Sequence, residues 1–296
     1  MISRVTNQTM MQSAQRNLQA NASRLAELQD RASSQKAITK PSDDPTATAA
    51  AMQVRGVQAA AAQYSRNMDN GNTWLTTIDT ALGQSTNILR KIQDLVIAGS
   101  SDVLNPEARE AIAIEIEGLG KDLLSQANTT VMGRSVFAGN SDAPSAFDPS
   151  TTPPSFTGAA GSSVERRVGM NQTVRVDADG EAAFGSGPSS AFKVITDIVG
   201  DLRSGASPVA HTAALTARFD AVVTQRVDIG TRQAQLQRAQ EVNMTEQGQL
   251  EAQRSSIEDA DLTKTILDLQ VQETNYKVAL AVTAKVLPLT LMDFLR

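Results

Sequence analysis

Cysteine is absent from this 296-residue sequence, which excludes disulfides, thiolate nucleophiles and cysteine-ligated zinc. A lone histidine, His211, rules out histidine-rich metal sites and acid–base schemes that need two imidazoles. Aromatics make up only 3% of the chain, seven Phe, two Tyr and one Trp, whereas apolar residues together reach 41%. The apolar content is therefore mostly Ala, Leu, Val and Ile, which suits close-packed helices better than aromatic-lined ligand pockets. Positive charge is not in surplus: 27 basic side chains stand against 32 acidic ones, for a net charge of −5. Nucleic-acid binding needs clustered excess Lys and Arg, so no nucleic-acid partner is expected. No apolar run approaches the ~18 residues of a membrane span, and Met1–Gln8 lacks the continuous apolar stretch of a secretory signal. By these rules the chain neither inserts into a membrane nor leaves the cell, unless by a route that reads no such signal.

What the sequence has in abundance is helical periodicity. Met11, Ala14, Leu18, Asn21, Leu25, Leu28 and Ala32 alternate by three and four, a coiled-coil seam with one polar member. An internal asparagine such as Asn21 either sets register and partner number or is a frayed polar position. Lys40-Pro41-Ser42-Asp43-Asp44-Pro45 reads as a turn in which Asp44 caps a helix and Pro45 opens it. A second seam runs from Val54 to Val96 in steps of three or four with no internal proline. A helix over 45–97 would be roughly 80 Å long; Gly71 and Gly83 weaken it locally. Asn105-Pro106 opens a further helix with Ile112, Ile116, Leu119 and Leu123 on one face, returning antiparallel through a short loop.

Beyond Asn128 the pattern turns to short extended segments. Val131–Gly139 reads as a hairpin, 140–163 is rich in Pro, Gly, Ser and Thr, and Val164, Arg166, Val168, Val174 and Val176 alternate at period two. Asp179-Gly180 reads as a hairpin turn, and a small insertion of this kind is expected to bury little of its own. Helix resumes at Ser190, with Phe192, Ile195, Val199 and Leu202 inside, and again over about 208–255, with Leu215, Phe219, Val222, Ile229, Leu236 and Leu250. The last segment carries a stripe of Leu262, Ile266, Leu269, Glu273, Tyr276, Leu280, Thr283 and Leu287, and beside it a second of Leu267, Val271, Val278 and Val282. A helix apolar over so broad an arc calls for more than one neighbour, which makes both chain ends assembly surfaces.

The expected fold is mainly α: a long antiparallel helical rod with N- and C-terminal coiled-coil segments and a small β-rich insertion. The expected segments are 1–44 (N-terminal coiled coil and export), 45–139 (first half of the rod), 140–188 (insertion), 189–255 (second half) and 256–296 (C-terminal coiled coil). Catalytic, metal and cofactor motifs all fail. Asp177-Ala178-Asp179-Gly180-Glu181 lacks the Gly and Glu spacing of a calcium loop, Gly120-Lys121 lacks the rest of a phosphate loop, and His211 reads as an ordinary surface histidine. No enzyme activity is expected.

Ser3-Arg4-Val5-Thr6-Asn7, the heptads to Leu28, and Ile38-Thr39-Lys40-Pro41-Ser42-Asp43-Asp44-Pro45 resemble the N-terminal region of the bacterial flagellin superfamily. The Lys-Pro-Ser-Asp-Asp-Pro version of that stretch, Trp74-Leu75 and the closing Leu289–Leu295 look most like its hook-associated protein 3 branch, and Arg226–Gln233 resembles the start of the family's C-terminal region. Phe137-Ala138-Gly139 replaces the Phe-Asn-Gly common in flagellins, which favours a hook-associated protein. One departure is Gln35, which stands where the family often has glycine. The resemblance implies a structural subunit of the hook–filament junction, exported unfolded through the flagellar type III apparatus. Its termini would order as coiled coil on assembly. It implies a ring of identical subunits, contact with hook-associated protein 1, flagellin and the filament cap protein, and an export chaperone on the C-terminal helix. The expected assembly residues are Leu18, Asn21, Leu25, Leu28, Leu269, Tyr276, Leu280, Leu287 and Phe294. Two rival readings are a minor flagellin of the filament and a cytoplasmic coiled-coil adaptor.

Overall fold

A computed structural model of the chain describes residues 2–101 and 104–294, with side chains over 9–101 and 104–284. Seven α-helices and six short strands are described: α1 (Ile2–Ser34), α2 (Pro45–Gly99), α3 (Pro106–Ala127), β1 (Thr130–Val131), β2 (Arg134–Ser135), β3 (Phe147–Asp148), β4 (Ser155–Phe156), β5 (Glu165–Arg167), β6 (Thr173–Arg175), α4 (Gly180–Phe184), α5 (Ala191–Ser204), α6 (Thr212–Glu258) and α7 (Leu262–Phe294). The fold is mainly helical with a small strand-containing region, as the periodicity requires. These residues fall into two compact units, one within 1–60 and 247–296, the other within 61–246.

The helix boundaries follow from their caps. Asp44 Oδ1 accepts from the backbone N–H groups of Thr46 (3.0 Å) and Ala47 (2.9 Å), and Pro45 is the first residue of α2. Asn105 accepts from Ala108 N at 2.8 Å, with Pro106 next in line, and Ser190 accepts from Phe192 N. Each cap satisfies a donor that the first turn leaves free.

Within 61–246, α2 and α6 run antiparallel: Gln93 pairs with Thr216, Asp79 with Arg226 and Asp69 with Gln240. Met68, Leu75, Ile78, Leu82, Leu89, Ile92 and Val96 of α2 are buried together with Leu215, Val222, Ile229 and Leu236 of α6. In the long seam read from sequence, Tyr64 remains half-buried and Val57, in the other unit, is exposed. Gly71, a weak point by helix propensity, is a place of close approach. A Cβ there would stand 3.1 Å from Val176 and 3.6 Å from Leu236.

The β-rich segment corrects two expectations. It is expected to bury little, yet Phe137, Phe147 and Phe184 are among the largest fully buried side chains of the chain. Together with Phe156 and Phe192 they form one cluster with ring centroids 5.0–6.2 Å apart, which gathers five of the seven phenylalanines. The five rings come from β3, β4, α4, α5 and the stretch after β2, so no local period reveals them. Asp179-Gly180, read as a hairpin turn, instead opens α4, where Asp179 Oδ1 accepts from Ala182 N at 3.1 Å. The true hairpins are β1–β2, turning through Met132 (φ 51°) and Gly133 (φ 79°), then β3–β4 and β5–β6. The segment is tied down from outside. Asn128, just past α3, donates to Phe147 O (2.9 Å) and accepts from Phe147 N (2.8 Å). Arg232 of α6 donates to the carbonyl of the fully buried Asp177, whose carboxylate binds Arg175 and the Val164 amide.

Candidate assembly interface

The unit formed by the chain ends pairs α1 antiparallel with α7. Its register is marked by Gln272 Nε2, which donates to Asn21 at both its carbonyl O (3.2 Å) and Oδ1 (3.3 Å), and by the antiparallel bridge between Lys36 and Asp259. Asn21, singled out in the heptads, thus meets a polar partner in its own chain. Leu18, Leu25 and Leu28 are half-buried on α1, and Leu269 and Tyr276 are half-buried on α7. Leu280 is 41% exposed and shares the rim of α7 with Leu262 and Ile266. The side chains of Leu287 and Phe294 lie outside the described residues.

At 100° per residue, Thr265, Leu269, Gln272, Tyr276 and Thr283 fall on one face of α7, and all are buried or half-buried. Leu267, Val271 and Val278 fall on the opposite face at 60, 53 and 57% exposure, and Val282, 56% exposed, flanks them at the edge of a groove shared with α1. The helix therefore has two apolar faces and, among the described residues, a partner for only one. Four uncovered aliphatic side chains over four turns form a patch that a soluble monomer does not need.

The links between these helices carry further residues of the site, of which Gln35 and the Lys40–Pro45 turn stand out in the sequence and the rest do not. Gln35 ends α1 in a left-handed conformation (φ 58°), a position that favours glycine because other residues carry a clashing Cβ. Gln35 O accepts from Ala260 N (2.9 Å), and Glu258 O accepts from Ala37 N (2.8 Å), which clasps the exit of α1 to the entry of α7. Gln35→Gly should stabilise this clasp by about 1 kcal/mol. The expected readout is a roughly five-fold slowing of amide exchange at Ala260; unchanged exchange would show the backbone there to be unstrained.

Charges gather at the same place. The Glu258 side chain is 5% exposed; Arg55 Nε of α2 stands 2.8 Å from its Oε1, while Arg254 (3.4 Å) and Lys36 (3.7 Å) approach Oε2. Lys36 also pairs with Asp259, whose carboxyl it holds below the ordinary range with help from the Ser255 hydroxyl. Arg254 and Gln58 do the same for Glu251. Asp43 is held down by the Lys40 backbone N–H and by Thr39, a tight turn inside the Lys-Pro-Ser-Asp-Asp-Pro stretch. A carboxyl whose folded pKa is depressed stabilises the fold above the unfolded value and ceases to as pH falls through the folded one. These links are therefore firm at neutral pH and loosen in acid, below the ordinary carboxylate range. The signal for them was the acidic run Glu258-Asp259-Ala260-Asp261, but only chain pairing sets it against Lys36 and Arg55.

No group of residues that could hold a metal ion occurs among the described residues. His211, as a half-buried side chain 2.9 Å from Asp201, sits in an isolated pair. No described helix is long and apolar enough to cross a membrane.

Comparison with known proteins places the chain among flagellar relatives by similarity. Residues 5–142 match the bacterial flagellin N-terminal helical region. The chain is 24% identical over 300 residues to flagellar hook-associated protein 3 of Escherichia coli, covering 92% of this chain and 93% of that one. A solved structure from Vibrio parahaemolyticus, described as a flagellar hook-associated protein, shares the fold at TM-score 0.68 and 19% identity over 73% of this chain and all of its own. Hook-associated protein 3 of Legionella pneumophila does so at TM-score 0.62 and 14% identity, covering 70% of this chain and 98% of its own. Residues 5–142 thus carry a flagellin-type N-terminal helical region, and along most of its length the chain is similar to a flagellar structural protein, hook-associated protein 3, rather than to an enzyme.

Proposed function

We propose that this protein forms the hook–filament junction of the bacterial flagellum, exported unfolded and assembled through its terminal helices. The observation that carries the reading is the double-faced α7: one face is taken by α1, and Leu267, Val271, Val278 and Val282 are left uncovered. In this reading Leu18, Asn21, Leu25, Leu28, Leu269 and Tyr276 hold the terminal helices of one subunit together. Leu280 and the far stripe meet neighbouring copies, and Leu287 and Phe294 extend that contact toward the C-terminus. Identical copies would close a ring, with hook-associated protein 1 on one side and flagellin on the other. The cap protein would engage during assembly, and an export chaperone would cover α7 beforehand, since four exposed aliphatic side chains invite aggregation. Location at the junction and export through the type III apparatus belong to the same proposal.

Deleting the gene tests the junction role. Cells should carry hooks without filaments and lose flagellin to the medium, both visible by electron microscopy and by assay of culture supernatants. Normal filaments would refute the junction and move the protein to a minor filament subunit.

A further inference from the structure

We infer that buried Glu258 is a coupling latch, through which the terminal helices α1 and α7 order or fray as one unit rather than independently. The inference does not rest on the junction reading; it follows from the way three segments converge on one carboxylate. Lys36 comes from the exit of α1, Arg55 from α2 and Arg254 from α6, and all three cations address the same 5%-exposed side chain. A carboxylate taken this far out of water is tolerated only while it is paired, so the loss of one cation is felt by the rest.

Fraying of α1 withdraws Lys36 from both Glu258 and Asp259 and breaks the two backbone hydrogen bonds between 35–37 and 258–260. Those bonds hold the three-residue turn from which α7 starts, with Asp261 Oδ1 capping its first turn at Lys264 N (3.1 Å). Fraying of α7 from its N-terminus undoes the same bonds in reverse. Arg55, on α2, anchors the latch to a helix that belongs to neither terminal segment. Both ends therefore lean on one contact set, and each is ordered at lower entropic cost when the other is already in place.

Because the chain has no cysteine, thiols can report the coupling at a distance. Asn21→Cys with Gln272→Cys, in the full-length protein, places one pair roughly 20 Å along α1 from the latch. Its effective concentration is measured by equilibration against glutathione. In that background Glu258→Gln and, separately, Arg55→Met should each lower the effective concentration at least ten-fold. Lys277→Met, an exposed cation of α7 away from the latch, should leave it unchanged. Trp74 fluorescence checks that the 61–246 unit stays folded, and Arg55→Met serves if Glu258→Gln is poorly behaved. An effective concentration indifferent to both latch variants, or equally low in the parent pair, would overturn the coupling. A merely local role would change amide exchange at Ala37 without touching the distant thiols.

Discussion

Phe147→Ala should destabilise the 61–246 unit by about 3–5 kcal/mol, the range for deleting a large aromatic from a close-packed core. Phe147 has no exposed surface and is the hub of its cluster, with Phe156, Phe184 and Phe192 at centroid distances of 5.3, 5.8 and 5.0 Å. Its neighbours cannot close the gap easily, because Asn128 holds the Phe147 backbone by two hydrogen bonds and the other rings are held by different segments. For a unit of this size the loss corresponds to roughly 6–20 °C in melting temperature. Trp74 is the only tryptophan, is 3% exposed and lies in the same buried cluster, so its fluorescence follows the transition directly. Met170→Ala, at 72% exposure, is the control and should shift stability by less than ~0.5 kcal/mol. A Phe147→Ala effect below ~1 kcal/mol would mean that the strand-containing segment contributes little, as its sequence suggests.

That contrast marks where the sequence is legible. Within a helix, spacing and caps are local, so Met68, Leu75, Ile78, Leu82, Leu89 and Ile92 could be assigned to one buried face of α2, and Asp44, Asn105 and Ser190 to helix starts, before any partner was known. The phenylalanine cluster assembles from residues up to 55 positions apart (Phe137 to Phe192), and nothing in a period of two or 3.6 links them. Asp179 shows a second limit. Asp-Gly suits a hairpin turn and also a helix start, and the choice fell to the helix once Asp179 could cap α4 and bridge to Ala138. The candidate interface divides in the same way. Both stripes of α7 were legible as an excess of apolar residues, but which stripe α1 covers depended on the register of the two helices, which neither segment states by itself. Glu258 was invisible for a further reason: a charged residue at a helix end reads as solvent-exposed until Lys36 and Arg55, distant in the chain, join its helical neighbour Arg254 around it.

Val278→Asp should abolish incorporation into the flagellum while leaving the subunit folded, and Leu280→Asp should act in the same direction. Val278 is 57% exposed on the face of α7 turned away from α1, so in the lone subunit an aspartate there meets water and costs little. Packed against a neighbouring copy, the same carboxylate would be buried unpaired at a cost of several kcal/mol per interface, repeated at every contact in a closed ring. Leu280, at 41% exposure, sits at the rim of the α1 face, so its aspartate adds a modest disturbance of the α1–α7 pair to the assembly defect. Complementation of a deletion strain, with filament counts by electron microscopy, reads incorporation. Circular dichroism and the Asn21–Gln272 thiol pair read folding of the subunit. Filaments at parental number with Val278→Asp would show that the far face of α7 is not an assembly surface. Lost incorporation with α1–α7 pairing intact would place the defect between subunits, where the uncovered stripe predicts it.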